Sequence, residues 1–266
     1  MSLGAWLGIL GFGAVVAVAL LAPVLAPCDP ARHNLRLSME PPGPGHPFGT
    51  DEFGRDVLSR ALFGARTSLL VSLSAVMLQL VLGVALGVIA GYLGGPVETV
   101  LMRLVDVWLA LPFLVLCMSL AAILGPGLGN TILVLGLTGW ASVARVIRGE
   151  TLVLKELAFV ESARAQGCST ARIILRHLLP NLANTCIVLG TFELGRMITM
   201  EAALSFLGLG LPPGTASWGI MIAEGREFVG MAWWVVTFPG MAIALSVLSV
   251  NLLGDWVRAV LDPRSA

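Results

Sequence analysis

The chain has 266 residues, is 57% hydrophobic and only 12% charged, and has a mean hydropathy of +0.91. An ordinary soluble domain is roughly one quarter charged, so this is the balance of a membrane protein. Sixteen basic and sixteen acidic residues cancel, and no net charge points to nucleic acid or to an acidic partner.

About 20 mostly apolar residues cross ~30 Å of hydrocarbon as a helix, and six segments meet that test. Residues 3–26 carry no charge. They lack a basic leader, and Ala22-Pro23-Val24-Leu25-Ala26-Pro27 offers no small-x-small cleavage site, so an uncleaved anchor is expected. A polar stretch rich in proline and glycine, residues 27–66, leads to a second span over 67–97. Only Gln79 and the turn signal of Gly91, Gly94, Gly95 and Pro96 interrupt it. The third span is expected as one helix over about 104–124, with Arg103 and Asp106 forming an interfacial i, i+3 pair near its start. The fourth covers about 128–144.

Residues 145–181 then carry six of the sixteen basic residues. Leu152, Phe159 and Ala163, with Ile173, Ile174 and Leu178, follow a 3.6-residue period, and Gly167 is expected to break two short amphipathic helices. The fifth span, about 182–204, holds Glu193 and Arg196 on one helical face and Glu201 further along. An ionisable group at mid-bilayer costs about 2.5 to 3.5 kcal/mol unless it is paired or wetted. Two readings stay open: these residues line a path through the protein, or they lock helix packing as an internal pair. In residues 208–230, Pro212-Pro213-Gly214 followed by Trp218 suits a turn and an interfacial segment. The sixth span is expected over 231–253.

An even number of spans puts both termini on one side. The segments on that side hold nine basic residues against six on the other, so the positive-inside rule places both termini in the cytoplasm by a narrow margin, with Arg55, Arg60 and Arg66 leaning the other way. The cysteines, Cys28, Cys117, Cys168 and Cys186, are far apart and form no CxxC pair. His33 and His46 in a proline-rich loop read as surface residues, and no metal site or cofactor is expected. The single lysine, Lys155, has no glycine before it. No P-loop is present, and the three histidines surround no nucleophile, so the chain is not expected to be an enzyme.

In the basic stretch stands Glu161-Ser162-Ala163-Arg164-Ala165-Gln166-Gly167, followed after nine residues by His177-Leu178-Leu179-Pro180-Asn181. This resembles the EAA loop of binding-protein-dependent ABC importer permeases: a glutamate, two small residues, a glycine six after the glutamate, then leucine and proline before the next span. Ser162 stands where the family usually has alanine, a small-for-small change. Two further stretches are in the style of the dipeptide, oligopeptide and nickel branch. One runs from His46-Pro47-Phe48-Gly49-Thr50-Asp51 through Gly54-Arg55-Asp56 to Gly64-Ala65-Arg66. The other runs from Glu201-Ala202-Ala203-Leu204-Ser205 through Pro212-Pro213 to Ser217-Trp218-Gly219. The end of the chain, Asn251-Leu252-Leu253-Gly254-Asp255-Trp256 and Leu261-Asp262-Pro263-Arg264, is similar as well.

The resemblance implies an all-α polytopic membrane protein with six transmembrane helices in the type I ABC importer permease (MetI-like) fold. Residues 1–66 would be an anchor helix and periplasmic loop, 67–260 the permease domain with its coupling loop at 145–181, and 261–266 a cytoplasmic tail. It implies a C-type permease in a bacterial inner membrane, making half of a pathway for peptides. Nickel or another small solute is the alternative cargo, and a secondary transporter is the more remote rival. The implied partners are a B-type permease, one or two cytoplasmic ABC ATPases that hydrolyse ATP, a periplasmic or lipid-anchored substrate-binding protein, and membrane lipid. The residues carried over to ATPase coupling are Glu161, Ser162, Ala163, Gly167, His177, Leu179 and Pro180. Glu193, Arg196 and Glu201 are the candidates for the translocation pathway.

Overall fold

The computed structural model describes residues 3–261; all of the expected 261–266 tail except Leu261, including Asp262-Pro263-Arg264, lies outside the described residues. Among the described residues every named element is a helix. Helix α1 spans Leu3–Leu25, α2 Val57–Leu93, α3 Gly95–Ala110, α4 Phe113–Leu124 and α5 Leu128–Leu154. Short helices α6 (Ala158–Ala165) and α7 (Thr170–Ile173) follow, then a π-helical turn, Ile174–Leu178, that runs directly into α8 (Leu179–Phe206). Helix α9 spans Trp218–Gly225 and α10 spans Trp234–Leu261.

Among the described residues five helices are long and apolar enough to cross a membrane, and the count is six where α3 with α4, bent by 89° between them, is taken as one broken span. The third span is therefore not the single helix expected over 104–124. The cause is Pro112: the residue before a proline is pushed out of the helical region, and Leu111 is extended at φ −84, ψ 134. Helix α2 also starts ten residues before the expected span. Asp56 caps it by accepting from Ser59 N at 2.7 Å, which satisfies a backbone donor before the apolar stretch begins. At its other end the expected turn is present, with Gly94 at φ +67.

The bundle is built on the α2–α5 contact, where small residues let the two backbones meet. A Cβ on Gly83 would stand 2.5 Å from Val143 Cβ, one on Gly87 2.6 Å from Ala144 O, and one on Gly91 2.7 Å from Thr151 Cβ. Glycines four apart make one smooth helical face, the small-xxx-small arrangement of closely packed membrane helices. Gln79, an interruption in the sequence, crosses this interface: its Nε2 donates to Leu135 O at 2.9 Å and lies 3.0 Å from Met197 Sδ on α8. Helix α1 closes the bundle against α10, with Gly8 beside Leu252 and Leu253.

The contacts define two ends. At the basic end, Lys155 Nζ donates to Gly91 O and the Arg164 guanidinium lies 5.2 Å from the centre of the Tyr92 ring. At the far end, the loop 26–56 meets α9 and the start of α10, where Trp234 Nε1 donates to Thr50 O at 3.0 Å.

Candidate functional site

At the basic end, α6, α7 and the π turn form a knob with two distinct faces. Val160, Ala163, Ile173 and Leu178 are buried in one apolar cluster with Val88 of α2, Ile147 of α5 and Leu182 of α8. Glu161, Ser162, Arg164 and Gly167 are exposed on the other side. The knob is rigid for local reasons. Gly167 sits at φ +76 and closes α6: its N–H donates to Arg164 O, and Cys168 N donates to Ala163 O, the paired bonds of a Schellman stop. Ser169 then caps α7 by accepting from Arg172 N.

Proline at position 180 lacks an N–H, and its ring crowds the carbonyl four residues earlier. The helix widens to π over the preceding turn and stays continuous. Asn181 Nδ2 donates to His177 O at 2.7 Å, supporting the loosened turn. The expected amphipathic pattern holds at Ala163, Ile173 and Leu178. It fails at Phe159, which is 38% exposed with its ring centre 6.3 Å from that of His177. Ala163, carried over to ATPase coupling, faces the bundle. Of the seven residues carried over to coupling, Glu161, Ser162, Gly167 and Pro180 are exposed, His177 and Leu179 are half-buried, and Ala163 is buried.

Within the bundle, Glu193 and Arg196 pair: Arg196 Nε donates to Glu193 Oε2 at 2.8 Å. The Arg196 guanidinium also lies 4.5 Å from the centre of the Phe113 ring, at the start of α4 where the third span bends. Glu201 does not join them. It is fully buried, with its carboxylate accepting from Ser68 Oγ at 2.8 Å and Ser205 Oγ at 3.0 Å. Asp106 takes Arg145 of α5 at 2.5 Å as its partner, not Arg103.

The far end holds a charge network that the sequence reading did not assemble. Asp51 Oδ2 accepts from Arg55 Nε at 2.7 Å and Arg60 Nη1 at 2.5 Å, and Glu224 Oε2 accepts from both guanidinium groups at 2.9 Å. Both arginine side chains are no more than 3% exposed. Their alternation with Asp51 and Asp56 is the signal that was available, since closely spaced charges of both signs can neutralise one another internally. His46 is not plain surface either: its Nδ1 lies 2.8 Å from Asp56 Oδ1. Trp218, expected at an interface, is buried and donates from Nε1 to Ala61 O at 2.9 Å. Among the described residues no three His, Cys, Asp or Glu side chains come together to hold a metal ion.

Residues 83–266 match the family described as binding-protein-dependent transport system inner membrane component. The chain belongs to this family. It is thus a multi-pass membrane permease component of a transport system. The match spans the whole knob, both members of the Glu193–Arg196 pair and α9. A di/tripeptide transport system permease protein of Pseudomonas aeruginosa is 41% identical over 267 residues, covering 98% of this chain and 88% of its own length. A dipeptide transport system permease protein of Bacillus subtilis is 40% identical over 248 residues, covering 93% of this chain and 78% of that one. In fold, the permease resembles a chain of the inward-facing MetNI methionine ABC transporter, with a TM-score of 0.63 at 18% identity, covering 77% of this chain and 97% of the other. A bent span alone would also suit a gradient-driven carrier; the family membership decides against that rival.

Proposed function

We propose that this chain is the C-type permease of an ATP-driven importer of di- and oligopeptides, seated in a bacterial inner membrane with both termini in the cytoplasm. It makes half of the pathway, and a B-type permease makes the other half. One or two cytoplasmic ABC ATPases supply hydrolysis, which this chain does not perform, and a substrate-binding protein delivers cargo to the far end. No cofactor takes part. Peptide cargo is favoured over nickel by the relatives named for di- and tripeptide transport. Arg55 and Arg60, which weigh against a cytoplasmic basic end in a simple count, are committed to an internal ion network.

The two-faced knob carries the coupling reading. Its outer face, with Glu161, Ser162 and Gly167, is open to a partner, and its inner face is packed into the ends of α2, α5 and α8. Close-packed interiors transmit displacement instead of absorbing it. A closing ATPase that moves the outer face therefore moves three spans together. Glu193 and Arg196 are proposed to line the pathway, beside the bend of the third span; Glu201 braces that route from within the packing.

The test is uptake of labelled dipeptide by proteoliposomes holding the complete transporter. Gly167→Glu and Glu161→Lys are expected to insert and assemble normally while ATP no longer drives uptake. Normal uptake by both variants would overturn the coupling assignment.

A further inference from the structure

The groove between α3 and α5 at the basic end has a composition that the transport reading does not use. It is lined by Glu98, Thr99, Arg103, Asp106, Arg145 and Arg148. The two helices run antiparallel here. Glu98 pairs with Arg148 and Asp106 with Arg145, so Arg103 stands between the two pairs. Both carboxylates are engaged, and among the described residues Arg103 has no ion-pair partner and is exposed. The groove thus carries three guanidinium groups against two carboxylates. Arg145, about half exposed, uses one nitrogen on Asp106 and keeps further donors free.

Its depth is fixed by α5. Residues 128–144 carry no charge, and 17 residues at ~1.5 Å rise cover about 26 Å, close to the hydrocarbon thickness. Arg145 and Arg148 therefore begin at the headgroup boundary. Val105 packs α3 against Trp140 and Ala141 of α5, and the opposite side of α3 faces outward. Val97, Val100, Leu104, Val107 and Leu111 are all exposed and recur every three or four residues, making one aliphatic stripe beside the cationic groove. An aliphatic stripe capped by spare guanidinium donors at headgroup depth complements acyl chains below a phosphate, and guanidinium groups bind phosphate oxygens in pairs.

We infer that this groove is a binding site for the headgroup of an anionic phospholipid, with Arg103 as its principal contact. The α3 stripe lies against the acyl chains, and the lipid holds α3 to α5 just before the bend at Leu111.

The complete transporter, extracted in mild detergent and supplied with phosphatidylglycerol, is examined by native mass spectrometry. Arg103→Gln is expected to weaken retention of one phosphatidylglycerol about fivefold, the factor corresponding to ~1 kcal/mol per basic residue near an anionic surface. Arg226→Gln at the far end serves as the control and is expected to retain it. Phosphatidylcholine is expected not to compete, and inorganic phosphate at the same concentration is expected not to displace the lipid. Equal retention by Arg103→Gln, or displacement by inorganic phosphate, would overturn the site. A photo-crosslinker at position 99, on the same groove wall with Arg103 intact, is expected to label lipid; capture of the second permease would also overturn it, by making the groove a protein interface.

Discussion

Arg60 of α2 donates from Nη2 to Glu224 Oε2 of α9 at 2.9 Å, joining positions 164 residues apart in the sequence. With Arg55 and Asp51 it makes a charge-balanced network, and Arg60 is only 1% exposed. Removing one partner strands an opposite charge in a desolvated place, which costs about 3–5 kcal/mol. Arg60→Ala is therefore expected to lower the melting temperature of the detergent-solubilised protein sharply, and Glu224→Gln less so because it keeps the shape and a hydrogen-bond acceptor. A loss below about 1 kcal/mol for Arg60→Ala would mean that the network is wetted and not structural.

The neighbouring Glu52 gives the far end a pH dependence. Burial raises its pKa above the ordinary carboxyl value; its own backbone amide partly offsets this, the Asp51 and Glu224 carboxylates push it up further, and the Arg55 guanidinium pulls it back. A carboxyl with a folded pKa above its unfolded one binds its proton more tightly in the folded state. Its ionisation thus costs stability above the folded pKa, and the cost disappears below the unfolded value. Glu52→Gln is expected to melt higher than the parent at about pH 8, with the gap closing toward about pH 4. A gap that stays constant across that range would contradict this assignment.

The α2–α5 glycine face makes a paired prediction. Gly87→Ala puts a methyl 2.6 Å from Ala144 O, and overpacking of this kind costs about 1–3 kcal/mol. Gly149→Ala, on the open side of α5 with nothing within 4 Å, is expected to gain about 0.5–1 kcal/mol from helix propensity. Thermal melting of the two variants should move in opposite directions; equal shifts would show that backbone contact does not set the interface.

For the pair inside the bundle, Arg196→Ala leaves the Glu193 carboxylate without its cation. The double change with Glu193→Ala is expected to transport better than the single one, read as initial uptake rate. Equal defects would show that the two act independently.

Much of this architecture is legible in the sequence, because spans announce themselves by length and hydropathy and Gly167 and Pro180 by backbone chemistry. What was not legible depends on pairing across the chain. Gly83, Gly87 and Gly91 sit four apart in plain view, but only Val143, Ala144 and Thr151 on α5 show why. Arg55 and Arg60 read as loop charges until Glu224 comes beside them. Trp218 reads as interfacial because an aromatic after a proline turn usually meets lipid headgroups; here the acceptor at Ala61 O draws it inside. The bend at Leu111-Pro112 is readable from the proline, but the apolar sequence continues past it on both sides and so masks the break.

The most direct measurement is a mild-detergent pull-down of the tagged chain from its native membrane, with mass spectrometry of what accompanies it. Recovery of a second permease together with one or two P-loop ATPases is the predicted result, and recovery of a binding protein would open the cargo to ligand screening. If the chain emerges alone or only with itself, its role as the coupled half of an ATP-driven importer is contradicted.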